Sequence, residues 1–261
     1  MDNTAVGRNA LANNETGNDN TATGRSALQN NTTGSDNTAV GRNALVNNTT
    51  GSDNTAVGLS TLRDNTTGDS NTATGRFALV SNTTGIQNTA TGRNALFNNT
   101  TGNQNTALGY SAGSDNTTGS NNTMLGYDAE ASSASVSNTV TLGNSSITTL
   151  RCQVTSITSL SDRRDKTNIQ PIGAGLAFVE QLEPVKFDWN MRDGGKVDVP
   201  DMGFVAQDLL QVMEDTGIDV PHLVSQDNPD KLEAAYGTLI PILVQAIKEL
   251  SAKVKALEER N

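Results

Sequence analysis

The first half of the chain repeats one 17-residue phrase eight times without an insertion. Its core, Asn-Thr-Ala-Val-Gly or a near variant, begins at Asn3 and returns every 17 residues as far as Asn122. A fixed short period is typical of a coil that stacks on copies of itself, so that each repeat contacts only its neighbours. Glycine and asparagine disfavour helix, and 17 residues are too few for a usual helical repeat. The sequence therefore predicts a parallel β-roll or β-helix over residues 1–143.

Each repeat contains two short apolar stretches separated by a glycine. In the unit that begins at Asn37 they are Ala39-Val40 and Ala44-Leu45, and residues 49–53 have the composition of a turn. We therefore expect two short strands and two bends in every coil. Parallel stacking at about 4.8 Å per coil predicts a column about 38 Å long for eight coils.

Stacking places equivalent residues in columns, and two of these columns should form the interior. A single coil offers little apolar surface, and aromatic residues make up only 3% of the chain. We therefore expect three chains to pack side by side. The first interior column contains Ala5, Ala22, Ala39, Ala56, Ala73, Ala90, Ala107 and Met124, and the second contains Leu11, Leu28, Leu45, Leu62, Leu79 and Leu96.

A third column consists of arginines. Unpaired, these side chains would repel one another. Pairing with Asp19, Asp36 or Asp53 of neighbouring coils or chains would fix the register, although exposed pairs contribute only about 0–1 kcal/mol each. The column contains Arg8, Arg25, Arg42, Arg76 and Arg93, and Leu59 interrupts it.

Composition excludes several classes of function. Cys152 and His222 are the only residues of their types, so we expect no intrachain disulfide, no metal and no cofactor. The net charge of −10 and the absence of a basic patch predict no nucleic-acid partner. No apolar run approaches the roughly 20 residues of a membrane span. The chain begins inside a repeat, which indicates a fragment or an artificial start rather than a signal peptide.

The period breaks between Ala129 and Ser137, and residues 138–143 form a degenerate ninth repeat. Residues 144–160 then form a β-rich connector. Its segment from Ile147 to Leu160 is rich in β-branched residues and predicts a strand, in which Cys152 packs as a small apolar side chain.

A second pattern begins at Ser161, which is followed by an aspartate and, five residues later, by Lys166. Further motifs follow at residues 182–189, 203–207 and 236–250. In this order they resemble the C-terminal intramolecular chaperone, auto-processing family of phage tail spikes and tail fibres. The repeats resemble the heads of trimeric autotransporter adhesins and the stalks of phage tail fibres, which implies a trimeric, left-handed parallel β-roll. The expected fold is thus mainly β, followed by a small α+β chaperone domain over residues 161–261.

The resemblance also implies a reaction. Ser161 and Lys166 would be the catalytic residues of a single-turnover serine endopeptidase that cuts its own chain between Leu160 and Ser161. The domain would trimerise and register the stalk before it is released. The protein would be a virion component, assembled in the host cytoplasm as a homotrimer, with a host-surface glycan or receptor bound through upstream parts.

A lysine acts as a base only when it has lost its proton, so its pKa must fall from about 10.4. Burial on assembly, or the charges of Arg163 and Arg164, would lower it. On a regular helix, residues five apart point about 140° from each other, so Ser161 and Lys166 should meet across a turn. The alternative interpretation makes Ser161 the N-cap of a helix.

Downstream, the pattern predicts alternating short elements. The predicted elements are a helix over 175–182 ended by Pro184, a strand over 185–190, a turn at 193–195 and a helix over 206–214. Trp189 is expected in the core and His222 in a loop.

The last segment carries a heptad pattern. β-Branched residues at one seam position and leucines at the other favour a two-stranded coiled coil, whereas the family resemblance implies three strands. A three-sided stalk favours the trimer. The seam residues are Ile240, Leu243, Ile247, Leu250, Val254 and Leu257.

Two alternatives remain at this point. The chain is either a self-cleaving tail-fibre or tail-spike fragment, or a non-enzymatic trimeric adhesin stalk with an inert trimerisation domain. The repeats are either a rigid spacer or a glycan- or ice-binding surface along Thr4, Thr21, Thr38 and Thr55.

Overall fold

A computed structural model of the chain describes residues 2–151, 161–192 and 194–260. The chain divides into two compact units, Met1–Ile147 and Thr148–Asn261. The predictions for Cys152 and for Leu160 fall outside the described residues.

The first unit is a parallel solenoid with one three-residue strand in each coil. Strands pair in register with a 17-residue offset, as in Thr4 with Thr21 and Ala22 with Ala39. The degenerate repeat supplies the ninth strand, so the predicted stack of 17-residue coils is confirmed. The strands are β1 (Thr4–Val6), β2 (Thr21–Thr23), β3 (Thr38–Val40), β4 (Thr55–Val57), β5 (Thr72–Thr74), β6 (Thr89–Thr91), β7 (Thr106–Leu108), β8 (Thr123–Leu125) and β9 (Val140–Leu142).

The second strand predicted for each coil is wrong. In the third coil Asn43 and Leu45 have φ values of 60° and 52°, so the chain curls where an extended strand was expected. The curled segment still bonds to the next coil, because the Leu45 amide donates to the Thr61 carbonyl oxygen at 3.0 Å. Coil-to-coil hydrogen bonding therefore continues without extended backbone.

The two apolar columns form the interior of the solenoid, as predicted. The alanine column is fully buried from Ala22 to Met124, and the leucine column from Leu28 to Leu96. Ala5 is exposed and Leu11 only partly buried, which corrects the prediction for the first coil. A coil at the edge of the described stack is covered on one side only.

Two further columns inside the solenoid consist of buried asparagines, which the sequence analysis did not anticipate. The side-chain nitrogen of Asn54 donates to the Gly68 carbonyl oxygen at 2.9 Å. The side-chain oxygen of Asn54 accepts from the Asn71 backbone amide at 3.0 Å. These asparagines thus find their hydrogen-bond partners within the stack, as burial requires. The columns contain Asn20, Asn37, Asn54, Asn71, Asn88, Asn105 and Asn122, and Asn31, Asn48, Asn65, Asn82, Asn99 and Asn116.

A glycine follows each repeat strand because no larger residue fits there. Gly41 has φ of +136°, and a β-carbon at this position would lie 2.2 Å from the Gly58 carbonyl oxygen. The absence of a side chain therefore permits adjacent coils to approach closely at this corner.

The second unit is a small α+β region that ends in a long helix, as predicted. Two of its strands form an antiparallel hairpin, and two shorter strands form a second antiparallel pair. Residues 147–151 form no strand, so that part of the connector prediction is wrong. The elements are a 3₁₀ helix (Arg163–Asp165), α1 (Leu176–Val179), β10 (Val185–Asn190), β11 (Val197–Gly203), α2 (Ala206–Thr216), β12 (Val224–Ser225), β13 (Glu233–Ala234), a second 3₁₀ helix (Tyr236–Thr238) and α3 (Leu239–Glu258).

The core of the second unit is centred on Phe178 of α1, which packs with Leu209, Leu223 and Ile242. Trp189 is not part of this core, contrary to the prediction. It is half-buried on β10, and its indole nitrogen donates to the Asp201 carboxylate at 2.9 Å. A ring nitrogen that needs a partner favours this position at the rim of the hairpin.

His222 lies exposed in a turn, as predicted. None of the described helices is long and apolar enough to cross a membrane.

Candidate functional site

A single 3₁₀ turn brings Ser161 and Lys166 together. The turn spans Arg163–Asp165, and the Asp162 side chain caps it by accepting from the Arg164 amide at 2.8 Å. The Lys166 amide closes the turn by donating to the Arg163 carbonyl oxygen at 3.2 Å. The Lys166 ammonium then donates to the Ser161 hydroxyl oxygen at 2.6 Å.

The cap position separates the two interpretations of Ser161. The N-cap of this turn is Asp162, so the alternative in which Ser161 caps a helix is wrong. The serine hydroxyl contacts the lysine side chain instead.

One of the two arginine charges near the pair is balanced within the turn. The Arg164 guanidinium contacts the Asp162 carboxylate, with Nη2 at 2.6 Å from Oδ2. Hydrogen bonding from Arg164 lowers the pKa of the Asp162 carboxyl, and the same contact raises the pKa of the Arg164 guanidinium. A salt-bridged arginine repels a nearby ammonium less than an unpaired one, so Arg164 is a poor source of the charge that the sequence analysis invoked.

Both members of the pair are exposed to water in the single chain, and so is every residue from 161 to 170. The distance of 2.6 Å is within the range over which a base takes a proton from a nucleophile. The arrangement therefore has the contact that a Ser–Lys nucleophile needs, but not the enclosure that usually accompanies it.

A cleft of about 820 Å³ that was not predicted from the sequence lies within the second unit. Phe187 and Trp189 of β10, Phe204 and Tyr236 contribute to its lining. The Tyr236 hydroxyl donates to the Phe204 carbonyl oxygen at 3.0 Å and accepts from the Phe204 amide at 3.1 Å. Residues of all three downstream sequence motifs therefore meet at one place in the fold.

No cluster of His, Cys, Asp or Glu within the described ranges is arranged to hold a metal ion.

Comparison with known proteins assigns this region. Residues 161–218 match the family model described as chaperone of endosialidase, which is a peptidase family. Over these residues the second unit is similar to chaperones of endosialidase. The match begins at Ser161, the first residue of the pair, and covers the hairpin and α2.

Two curated relatives of the chain are phage proteins. The long tail fibre protein Gp37 of Enterobacteria phage K3 is 36% identical over 104 residues, which are 38% of this chain and 8% of that protein. Its counterpart in Enterobacteria phage T2 is 36% identical over 104 residues, 38% of this chain and 7% of that protein. The chain spans less than a tenth of the length of these relatives. No solved structure matches the chain significantly.

The repeat solenoid, the chaperone domain and these relatives together fit a phage tail fibre with a C-terminal chaperone domain.

Proposed function

We propose that the chaperone-of-endosialidase domain aligns three copies of the repeat stalk and then cleaves itself off between Leu160 and Ser161. The contact of 2.6 Å between Lys166 Nζ and Ser161 Oγ carries this proposal. The working parts are the stalk at residues 1–143, the connector at 144–160 and the chaperone domain at 161–261.

The need for alignment follows from the uniformity of the stalk. Most coils carry the same residues at equivalent positions, so a shift of one chain by a whole coil changes few contacts. A separate module that brings three chains together at one end removes this ambiguity before the coils pack.

Helix α3 supplies a surface for that module. Its seam residues Ile247 and Leu250 are 66% and 50% exposed, and the other members of the heptad are exposed as well. Apolar residues that recur at intervals of three and four along an exposed helix are typical of a coiled coil. The seam supports association of this helix with copies of itself.

The cleavage reaction balances without a cofactor. Neutral Lys166 takes the proton of the Ser161 hydroxyl, and Oγ attacks the Leu160 carbonyl carbon. The bond from that carbon to the Ser161 nitrogen breaks, the nitrogen leaves as an amine with the proton returned by lysine, and an ester to Oγ remains. Water hydrolyses the ester, so the products are a carboxylate at Leu160 and a free amine at Ser161.

Because the pair is exposed in the single chain, we expect cleavage to depend on assembly. A lysine in water holds its proton, whereas enclosure by neighbouring copies disfavours the charged form. Cleavage would then follow trimer formation. Loss of the module would leave the assembled stalk kinetically trapped.

A time course on purified full-length protein tests the activity. Complete conversion of the wild type to two fragments, with Ser161→Ala remaining a single band, is the expected result. Persistence of the intact wild-type band in a trimeric sample would instead favour the inert adhesin stalk.

Deletion of residues 161–261 tests the chaperone role separately. Aggregated or misregistered stalk is expected, and a well-folded trimer from the deletion would refute the role.

We also propose a virion location for the protein. The relatives are tail fibre proteins, which supports a place in the virion. Assembly in the host cytoplasm, and binding of a host-surface glycan or receptor through upstream parts, complete the proposed role.

A further inference from the structure

The exposed face of the repeat sheet has an acidic edge and a basic edge. Because the strands are parallel and in register, all of their first residues lie at one edge and all of their last residues at the other. An aspartate stands two residues before strands β2, β3 and β4, and an arginine two residues after strands β1, β2, β3, β5 and β6. The acidic edge contains Asp19, Asp36 and Asp53, and the basic edge contains Arg8, Arg25, Arg42, Arg76 and Arg93.

The two edges do not neutralise each other within one chain. Every one of these arginines and aspartates is exposed. The ion pairs recorded within the described ranges involve other residues, Arg63 with Asp64 and Arg164 with Asp162. Six residues separate Asp36 from Arg42 across β3, which is up to about 20 Å of extended chain. The pairing that was expected between neighbouring coils of one chain is therefore absent from the described part.

Between the two edges the face is partly apolar. Val40 is 37% exposed and Leu108 is 53% exposed, and Val6 and Val57 project from the same position of their strands. These side chains alternate with the buried alanines, so they point away from the solenoid interior. The face thus combines uncovered apolar side chains with unlike charges at its two margins.

We propose that this face is the contact with a second copy of the chain, in which the basic edge of one copy meets the acidic edge of the next. In a closed ring of parallel copies each contact joins two different patches of the chain. A face with one edge of each charge fits that arrangement. This inference rests on the proposed assembly of three copies and names the surface that the stalks use.

The dimensions of the face are adequate for such a contact. Nine strands at about 4.8 Å extend about 38 Å, and the width between the charged edges is up to about 20 Å. Their product is close to the roughly 800 Å² that each partner contributes to a stable interface of standard size. An acidic polysaccharide is a less suitable ligand for this face than a second copy of the chain, because the acidic edge would repel it.

Charge reversal on the full-length chain tests the assignment. The first variant reverses the basic edge with Arg25→Asp and Arg42→Asp, and the second reverses the acidic edge with Asp19→Arg and Asp36→Arg. The third combines all four changes. Thr33→Asp with Thr67→Asp, on exposed threonines outside this face, controls for added negative charge.

Light scattering and sedimentation at low salt measure the assembly of the stalk after the chaperone domain has been released, because α3 also joins the intact chains in the proposed assembly. Each single-edge reversal is expected to weaken assembly at least about tenfold, because like charges then face one another in every contact. The fourfold variant restores assembly, the threonine control leaves it unchanged, and 1 M salt reduces the defect because it shortens the Debye length to about 3 Å.

Two outcomes overturn the inference. If the wild type is trimeric and the single-edge variants remain equally trimeric, another surface joins the stalks and the proposed function stands. If the wild type is monomeric, the proposed function and this inference both fail.

Discussion

The Lys166 ammonium lies 2.6 Å from the Ser161 hydroxyl oxygen, across a turn of three residues whose N-cap is Asp162. The serine is thereby left available to the lysine. The same turn pairs the Arg164 guanidinium with the Asp162 carboxylate.

Replacement of Lys166 should abolish most of the cleavage. Lys166→Ala removes the base, and Lys166→Arg keeps the positive charge but cannot release a proton at neutral pH. Both are expected to slow cleavage by about 10²–10⁴-fold. Gel analysis over time measures the rate, and Lys248→Ala on the exposed surface of α3 is the matched control. Wild-type rates in Lys166→Arg would contradict a role for lysine as base.

The seam of α3 should be needed for assembly. Leu250→Asp places a charge in the predicted coiled-coil seam, whereas Ala252→Asp places it on the opposite side of the same exposed turn. Leu250→Asp is expected to yield monomers and to slow cleavage, and Ala252→Asp to behave as wild type. Sedimentation measures the first effect and a gel time course the second. Rapid cleavage in a monomeric Leu250→Asp sample would separate the reaction from assembly and contradict the proposed order.

The asparagine columns should stabilise the stalk strongly. Asn54→Ala leaves the Gly68 carbonyl oxygen and the Asn71 amide without this partner. Each unsatisfied buried group costs about 1–3 kcal/mol, so the stalk should unfold at a clearly lower temperature. Thr50→Ala, on an exposed turn, is the control. Equal melting temperatures for the two variants would show that the column is dispensable.

The corner glycines should tolerate no side chain. At Gly41 an added β-carbon meets the Gly58 carbonyl oxygen, and the backbone has a φ that L residues rarely adopt. Gly41→Ala is expected to destabilise the stalk by at least about 1–3 kcal/mol. Gly173→Ala, where no atom lies within 4 Å of the new β-carbon, is the control. Thermal unfolding measures both, and a neutral Gly41→Ala would contradict the close approach of the coils.

Acid should loosen the link between α1 and α3. The Glu249 carboxylate accepts from the Leu176 amide at 2.8 Å, and this hydrogen bond lowers the pKa of Glu249. A lowered pKa means that the contribution to stability is present above the unfolded-state value and is lost as the pH falls through the folded-state value.

Melting temperatures of the second unit between about pH 7 and about pH 3 measure this effect. Glu249→Gln should flatten the acid-side decline, and Glu258→Gln, exposed on the same helix, should leave it unchanged. An identical decline in both variants would rule out Glu249 as the group responsible.

The period of the repeat was enough to predict which residues stack, because a parallel register with a 17-residue offset follows directly from it. The backbone conformation inside the coil was harder to predict from the sequence. Leu45 adopts a positive φ, which is uncommon for a leucine and which propensities do not reveal. The burial of Asn54 was missed because an isolated asparagine in a turn-rich repeat is usually exposed.

In the second unit, the serine–lysine spacing correctly required a turn, and the turn gives the contact between the two side chains. Asp162, not Ser161, caps the turn, because its carboxylate accepts a hydrogen bond from the Arg164 backbone amide. Trp189 was placed in the core from its size alone. The polar indole nitrogen and its partner Asp201 explain why the ring lies at the rim instead.

Determination of the N-terminal residue of the smaller fragment, after incubation of purified full-length trimer, tests the central claim most directly. The account predicts complete conversion, a small fragment that begins at Ser161, and no conversion in Ser161→Ala or Lys166→Ala. Fragments that begin elsewhere, or equal cleavage in both variants, would contradict it.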